Sequence, residues 1–373
     1  MVKNKVLFIL HLPAPIHGAA MVGKFIKDSK VINSSFDADF INLSTSTNMK
    51  SLRRGGIGKL LTALHIQYKV LKAIINKQYD LLYMTLTATG PGFYKDLFIV
   101  ALLKLFRKRV IFHFHNKGIS TRQENKLDNL LYQFAFKNTQ SILLSPHLYF
   151  DIEKYVKKEN VFFCANGIPV TAGDSVTSTQ PTDPNHPCRI LFLSNMVIEK
   201  GVLILLQACK ILKEKGLVFE CHFVGEWVDI TPGQFEILLS NYGLTEYVFA
   251  HGKKYDEDKA HFFTHSDVFV FPTFYHNECF PLVLLEAMAY GLPVVSTLEG
   301  GIPDIVIESE TGFLVQQKCA TALSEKIELL IKQPQLRIRL GRAGKSRFVD
   351  FFMLEIFENN LAKILQRAAG NYS

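Results

Sequence analysis

Residues that could do chemistry gather between Val268 and Thr297, in VFVFPTFYHNECFPLVLLEAMAYGLPVVST. An apolar strand ends near Thr273 and a polar loop carries Glu278. Pro281 suits the first helical position, where its missing N–H would have no partner anyway. A helix then runs through LVLLEAMAY to Gly291, a fitting residue just past a helix end, and Pro293 opens the next strand. Glu286 is the only charge on that helix. A helix apolar nearly all round is largely buried, so its carboxylate either reaches solvent or needs hydroxyl or amide partners. Free N–H groups and a positive dipole end around Phe280, Pro281 and Leu282 would seat a diphosphate. Glu278, alone, reads equally as an ordinary loop acid.

The elements that must hold this segment form two series. In the first, VLFIL (Val6 to Leu10) reads as a buried strand, followed by a loop from His11 to Gly18 and a helix from about Ala19. FINL (Phe40 to Leu43), LLYM (Leu81 to Met84), VIFHFH (Val110 to His115), SILLS (Ser141 to Ser145) and VFFCAN (Val161 to Asn166) read as further strands. Helices are expected over Gly58 to Asn76 and Asp96 to Phe106. From Val170 to Pro187 the chain turns to VTAGDSVTSTQPTDPNHP, without apolar periodicity, which marks a linker. The second series has strands RILFLS (Arg189 to Ser194), FECHFVG (Phe219 to Gly225), YVFAHG (Tyr247 to Gly252), VFVFPT (Val268 to Thr273) and PVVST (Pro293 to Thr297). Strand–helix alternation of this kind implies mostly parallel, doubly wound sheets. The expected architecture is α/β, with two Rossmann-like domains facing across a cleft. The boundaries are 1–170 for the first domain, 171–187 for the linker, 188–352 for the second domain, and 353–373 for a terminal helix returning to the first. In such sheets ligands bind at the carboxyl ends of the strands.

The bulk properties narrow the setting. A chain of 373 residues is comfortable for two domains. No apolar run reaches the roughly 20 residues of a membrane span. The 6 cysteines are scattered with no C-x-x-C pair, which suits a reducing cytosol and argues against a disulfide framework or a cysteine zinc site. Residues 1–175 hold about 24 Lys and Arg against about 11 Asp and Glu, or about +13, which leaves about −5 for the rest of the 42 basic and 34 acidic residues. An anionic membrane, nucleic acid and a plain solvated face all fit such asymmetry. No usual nucleic-acid motif appears.

Taken together, the E-x7-E spacing of Glu278 and Glu286, F-P after the first and E-A-M-A-x-G-x-P-V around the second resemble the retaining GT-B glycosyltransferases of family 4, also called glycosyl transferases group 1, of the bacterial surface-polysaccharide type. EGGIPDIV (Glu299 to Val306), TGFLV (Thr311 to Val315) and Lys200–Gly201 match the same family in order and spacing. The resemblance covers essentially the whole chain and is sharpest from about 189 to 316. It implies that Glu286 holds the ribose hydroxyls of a nucleoside diphosphate sugar and that Glu278 holds hydroxyls of the donor sugar. Backbone groups of Cys279, Phe280, Pro281 and Leu282 would meet the phosphates, with Lys200 neutralising the departing diphosphate. His251, Gly252 and Lys253 would present backbone to the base. In the first domain His115 matches a histidine near the reacting sugar, and Gly18 a glycine that admits donor and acceptor. Charge builds on the leaving phosphate, so a fixed cation and a helix N-terminus are the groups such chemistry needs. Two positions depart from the family. Ser194-Asn195 stands where Gly-Arg is usual, so a cation is missing beside the phosphates, and Pro281 replaces a glycine and removes an N–H.

Other signals carry less. Asp37-Ala-Asp39 spells a D-x-D metal signature but reads as a solvated turn. His113 and His115 share a strand face, yet no third metal ligand is evident. The stretch Gly58 to Asn76 combines Leu60, Leu61, Leu64, Tyr68, Leu71 and Ile75 at helical spacing with Lys59, Lys69 and Lys72. With Arg53, Arg54, Lys104, Arg107, Lys108 and Arg109 it makes the first domain basic, either a packing helix with a solvated face or a contact with an anionic membrane. The expected function is a cytoplasmic enzyme, on the inner face of a membrane, moving a hexose-type sugar with retention from a nucleoside diphosphate sugar to a glycan or lipid-linked acceptor. It needs neither metal nor redox cofactor and no nucleic acid. The alternative is a non-catalytic sugar-nucleotide-binding or scaffold protein of the same fold.

Overall fold

The computed structural model describes residues 3–14, 17–45, 57–170 and 186–370. All but the last two residues of the expected linker lie outside them, as do Arg53 and Arg54. The chain forms two compact units, Met1–Gly167 with Leu354–Ser373, and Ile168–Met353.

The first unit is built on β1 (Asn4–Leu10), β2 (Phe36–Asn42), β3 (Leu81–Met84), β4 (Val110–His113), β5 (Gln140–Leu143) and β6 (Val161–Phe163). They form one sheet in the order β2-β1-β3-β4-β5-β6, every pair parallel. Val6 to Leu10 are wholly buried, as expected of a strand covered on both faces. The second unit uses β7 (Cys188–Leu193), β8 (Phe219–Val224), β9 (Val248–Ala250), β10 (Val268–Val270), β11 (Val294–Thr297) and β12 (Gly312–Val315). Their order is β12-β11-β10-β7-β8-β9, again all parallel. Ile190, Leu191 and Phe192 on β7 and Val268 to Val270 on β10 are fully buried at its centre.

Several element ends differ from the sequence reading. The strand read as FINL begins at Phe36, so Asp37 and Asp39 lie on β2 rather than in a turn. Lys77 bonds Asp37 at 3.0 Å and Asp39 at 2.8 Å, and the Tyr79 hydroxyl donates to Asp39 at 2.8 Å. Lys77 holds the Asp39 carboxyl below its usual range, so the D-x-D run is an ion-paired strand edge. The helix expected from Asp96 starts at Gly90, with Pro91 at its first turn, because the Gly-Pro-Gly start hides its periodicity. Four strands of the second unit stop short of the expected ends: after a last bond from the Phe271 N–H to the Val295 carbonyl at 2.9 Å, Pro272 and Thr273 leave the ladder and become part of the loop that carries the site. The TGFLV motif supplies β12, which its short length concealed. The terminal helix Leu354–Ala368 packs on the helix Lys30–Ser35 of the first unit and buries Phe357, Leu361 and Leu365. Arg109 donates to the Ala369 carbonyl beyond it at 2.6 Å.

Candidate functional site

In the second sheet the strand order reverses between β7 and β10, which are paired neighbours. Loops leaving the carboxyl ends of two such strands diverge and open a crevice, the usual seat of a ligand in open α/β sheets. The loop after β7 carries Asn195 and Lys200, and the loop after β10 carries Glu278. The topology therefore brings together residues 78 apart in the chain.

Lys200 ends a short 3-10 turn, Ile198–Lys200, closed by Gly201 in the left-handed region at φ 93°. A side chain at 201 would also place its Cβ 2.3 Å from the Pro272 carbonyl oxygen, so only glycine fits. The Phe274 N–H donates to the Glu199 carbonyl at 2.8 Å, which ties the two loops together. Lys200 donates to the buried Glu278 carboxylate, and its ammonium lies 4.5 Å from the centre of the Tyr275 ring. The EGG motif belongs to the same construction. Gly300, at φ 55°, sits where an added Cβ would lie 2.3 Å from the Glu278 carbonyl oxygen, and Gly301 donates to the Cys279 carbonyl at 2.7 Å. Glu299 is buried, accepting from the Gly300 N–H at 3.0 Å and from Gln317 at 2.6 Å.

The helix after Glu278 is Leu282–Ala289, with Gly291 at φ 73° just past its end. Pro281 caps this helix in an extended conformation, one residue before the first helical position that the sequence predicts for it. Its preset φ of −68° serves the cap equally well, and the first helical N–H groups, Leu282 and Val283, have no preceding turn to donate to. The Cys279, Phe280 and Pro281 side chains are buried, with Phe280 edge-on to Phe352 at 5.8 Å, so at these positions the backbone alone is left to meet a ligand. Glu286, one turn into the helix, is half-buried, and its partner is a cation rather than the hydroxyl or amide expected. Lys259 donates to its Oε1 at 2.6 Å. Lys259 lies on the helix Asp256–Thr264, DEDKAHFFT, whose charged composition reads as an ordinary solvated face. Glu286's isolation foretold a partner but not which residue supplies it.

Asn195 is half-buried directly after β7, its carbonyl accepting from Val197 at 2.7 Å. His251, Gly252 and Lys253 follow β9. The His251 N–H donates to the Phe223 carbonyl and the Gly252 carbonyl accepts from Gly225, both at 2.9 Å, so two of the backbone groups expected to meet a base are already committed. The Lys253 ammonium bonds Glu226 at 2.8 Å. His251 and His222 share a ring hydrogen bond of 2.9 Å, and burial lowers both pKa values.

The first unit presents its own cluster at the carboxyl edge of its sheet. His115 follows β4, half-buried, with both ring nitrogens shielded from solvent and neither hydrogen-bonded to a described protein group. Burial, with His17 nearby, lowers its pKa to about 3. His113, on β4 itself, bonds the buried Tyr83 hydroxyl at 2.6 Å through Nδ1. His17 caps the helix Gly18–Asp28 by accepting from Ala20 at 3.4 Å, and burial lowers its pKa too. His11, also lowered to about 3 by burial, completes a group of imidazoles that stay neutral at pH 7. Gly18 opens the helix, and among the described residues no atom beyond its chain neighbours and its own helix lies within 4 Å of where its Cβ would be. The fold itself therefore sets no steric demand for glycine there. Among the described residues no three His, Cys, Asp or Glu side chains could together hold a metal ion.

Two doubly wound parallel units with ligand-binding loops at a switch point define the GT-B fold of glycosyltransferases, and solved structures of that class match over nearly the whole chain. A glycosyltransferase from Rickettsia africae superposes with a TM-score of 0.74 at 17% identity, covering 99% of this chain and 100% of that one. Anabaena Alr3699/HepE, solved in complex with UDP and glucose, gives 0.70 at 17% identity over 98% and 100%. Residues 178–347 match the family glycosyl transferases group 1. The amylovoran biosynthesis glycosyltransferase AmsK of Erwinia amylovora is 30% identical over 189 residues. That match spans 50% of this chain and 46% of AmsK, so the chain covers about half of that relative's length.

Proposed function

We propose that the protein is a retaining glycosyltransferase of polysaccharide biosynthesis that moves a hexose-type sugar from a nucleoside diphosphate sugar to a glycan or lipid-linked acceptor. The observation that carries this reading is the Lys200–Glu278 pair at the switch point, in the loop that leads into the N-terminus of Leu282–Ala289, with Glu286 one turn into that helix. Glu278 meets hydroxyls of the donor sugar, and Glu286 meets the ribose through the oxygen that Lys259 leaves open. The N–H groups of Leu282 and Val283 and the dipole behind them meet the diphosphate. Lys200 neutralises charge as the sugar–phosphate bond breaks, and such a fixed cation acts most strongly where water is excluded. Retention by front-face transfer lets the departing phosphate take the acceptor proton, so no second carboxylate is needed. The first unit takes the acceptor. His115, neutral and without a protein partner, is able to hydrogen-bond a sugar hydroxyl. The HepE complex with UDP and glucose supports a nucleotide-sugar donor, and AmsK, an amylovoran biosynthesis glycosyltransferase, supports a biosynthetic setting.

The test is release of nucleoside diphosphate from a panel of nucleotide sugars, with the product's anomeric configuration read by NMR. Turnover with inversion would refute retention. Asn195, neutral where the family carries arginine, favours one second reading, a protein that binds nucleotide sugars without transferring them. Donor binding with no turnover on any acceptor would establish that reading instead.

A further inference from the structure

The first unit has an apolar face that no other described element covers. On the helix Ile57–Asn76, Ile66, Val70 and Ile74 are buried and form the core side. At 100° per residue, Leu61, Leu64, Tyr68 and Ile75 fall within about 60° of one another on the opposite side. All four are more than half exposed. Lys69 and Lys72, also exposed, run along one flank of this stripe.

The face extends beyond one helix. The steps from β2 to β3, β3 to β4 and β4 to β5 all move the same way across the sheet. Right-handed crossovers then place the three intervening helices on one side of it. Those helices, Ile57–Asn76, Gly90–Leu105 and Lys126–Phe136, touch in sequence. The second adds Phe98 and Leu105, exposed by 63% and 75%, and the third adds Leu130 and Phe134. Lys104 crosses between them, its ammonium 5.7 Å from the Phe134 ring centre.

The charge on this face has one sign. The only acids on the three helices are Asp96 and Asp128, and both are buried. Asp96 is paired with Lys95, and Asp128 with Arg122 and Tyr94. Large apolar side chains interspersed with lysine, with every acid withdrawn, complement an anionic lipid surface, where tails meet the apolar groups and headgroups the ammoniums. No described helix is long and apolar enough to cross a membrane. We infer that this three-helix face of the first unit is a docking surface for an anionic bilayer, seated by shallow insertion of Leu64, Phe98, Leu105 and their neighbours. The inference deepens the lipid-linked acceptor reading above and rests on it for its purpose, since it puts the first unit at the plane where such an acceptor lies.

The full chain is to be sedimented with vesicles of phosphatidylcholine and of phosphatidylcholine containing phosphatidylglycerol, beside the triple variant L64Q, F98Q, L105Q and the variant K69E, K72E. All five positions are exposed, so the fold is expected to survive, and an unchanged melting temperature checks this. The wild-type chain should bind the anionic vesicles preferentially. The triple variant should lose roughly tenfold or more in partitioning, and the charge variant should lose its preference for anionic lipid. At about 1 M salt, where screening reaches about 3 Å, the wild-type chain should still bind better than the triple variant, because the apolar part persists. Equal binding to both vesicles, or a triple variant that binds like the wild type, overturns the inference. So does a chain that dimerises through this face, seen as a monomer only in the triple variant, and ignores vesicles. Nucleotide-induced stabilisation measured on the same samples separates the two readings. Stabilisation without vesicle binding overturns docking and leaves the donor reading standing. Vesicle binding without stabilisation upholds docking and overturns the donor reading.

Discussion

Lys259 holds one oxygen of Glu286 and so fixes the direction in which the other can accept. Lys259→Met should free the half-buried carboxylate to rotate and weaken nucleotide binding about three- to tenfold, about 1 kcal/mol, read by calorimetry. Equal affinity in the variant would remove Lys259 from the site. Lys200 and Glu278 are more deeply placed, with side chains 18% and 11% exposed. Lys200→Met should lower transfer by about 100-fold or more and cost about 2 kcal/mol of stability by leaving Glu278 buried and unpaired. Adding Glu278→Gln should restore stability but not transfer, an outcome that simple loss of packing would not give. In the first unit, His11 and His115 titrate near 6.5 when unfolded and near 3 when folded. Above pH 6.5 both are neutral in either state. As pH falls below that value, the unfolded chain takes up protons that the folded chain refuses. Each histidine then removes about 1.4 kcal/mol of stability per pH unit down towards pH 3. The melting temperature of the first unit should therefore drop between about pH 6 and pH 4, and less steeply in His115→Gln. A flat profile would show that the imidazoles are protonated in the folded unit.

At the scale of elements, the site depends on two loops held at close quarters by glycine. Gly201→Ala and Gly300→Ala each place a Cβ 2.3 Å from a carbonyl oxygen at positive φ. Each should cost about 2 kcal/mol, or roughly 5 °C in the melting of the second unit, with a loss of turnover because Lys200 and Glu278 no longer meet. Unchanged melting in both would mean that the loops are not set by these contacts. Much of this construction was legible in the sequence. Buried parallel strands are continuous apolar runs, so β1, β3 and β7 announced themselves. The lone charge of Glu286 in LVLLEAMA pointed to a partner. What the sequence hid is tertiary. Lys259 sits in a helix that looks solvated, and its role exists only because that helix lies against Leu282–Ala289. Pro281 serves a cap as well as a first turn, and the two differ by one residue of chain direction that periodicity does not resolve. Asp37 and Asp39 looked like a turn because Lys77, which neutralises them on β2, is about 40 residues away.

At the scale of the whole molecule, charge and ligand chemistry separate between the units. The excess of basic over acidic residues and the acid-free apolar face belong to the first, and the paired glutamates belong to the second. The terminal helix Leu354–Ala368 returns the chain to the first unit, which is therefore closed by both ends of the sequence. A chain of two such units need not unfold in one step, and a nucleotide bound by the second should raise that unit's transition first. The most direct measurement is thermal unfolding against a panel of nucleoside diphosphates and their sugars, with wild-type protein and Glu286→Ala side by side. At least one nucleotide series should stabilise the wild-type protein, by about 2.7 kcal/mol at a hundredfold excess over its dissociation constant, and Glu286→Ala should lose most of that gain. Equal stabilisation of the two proteins by every nucleotide would contradict this.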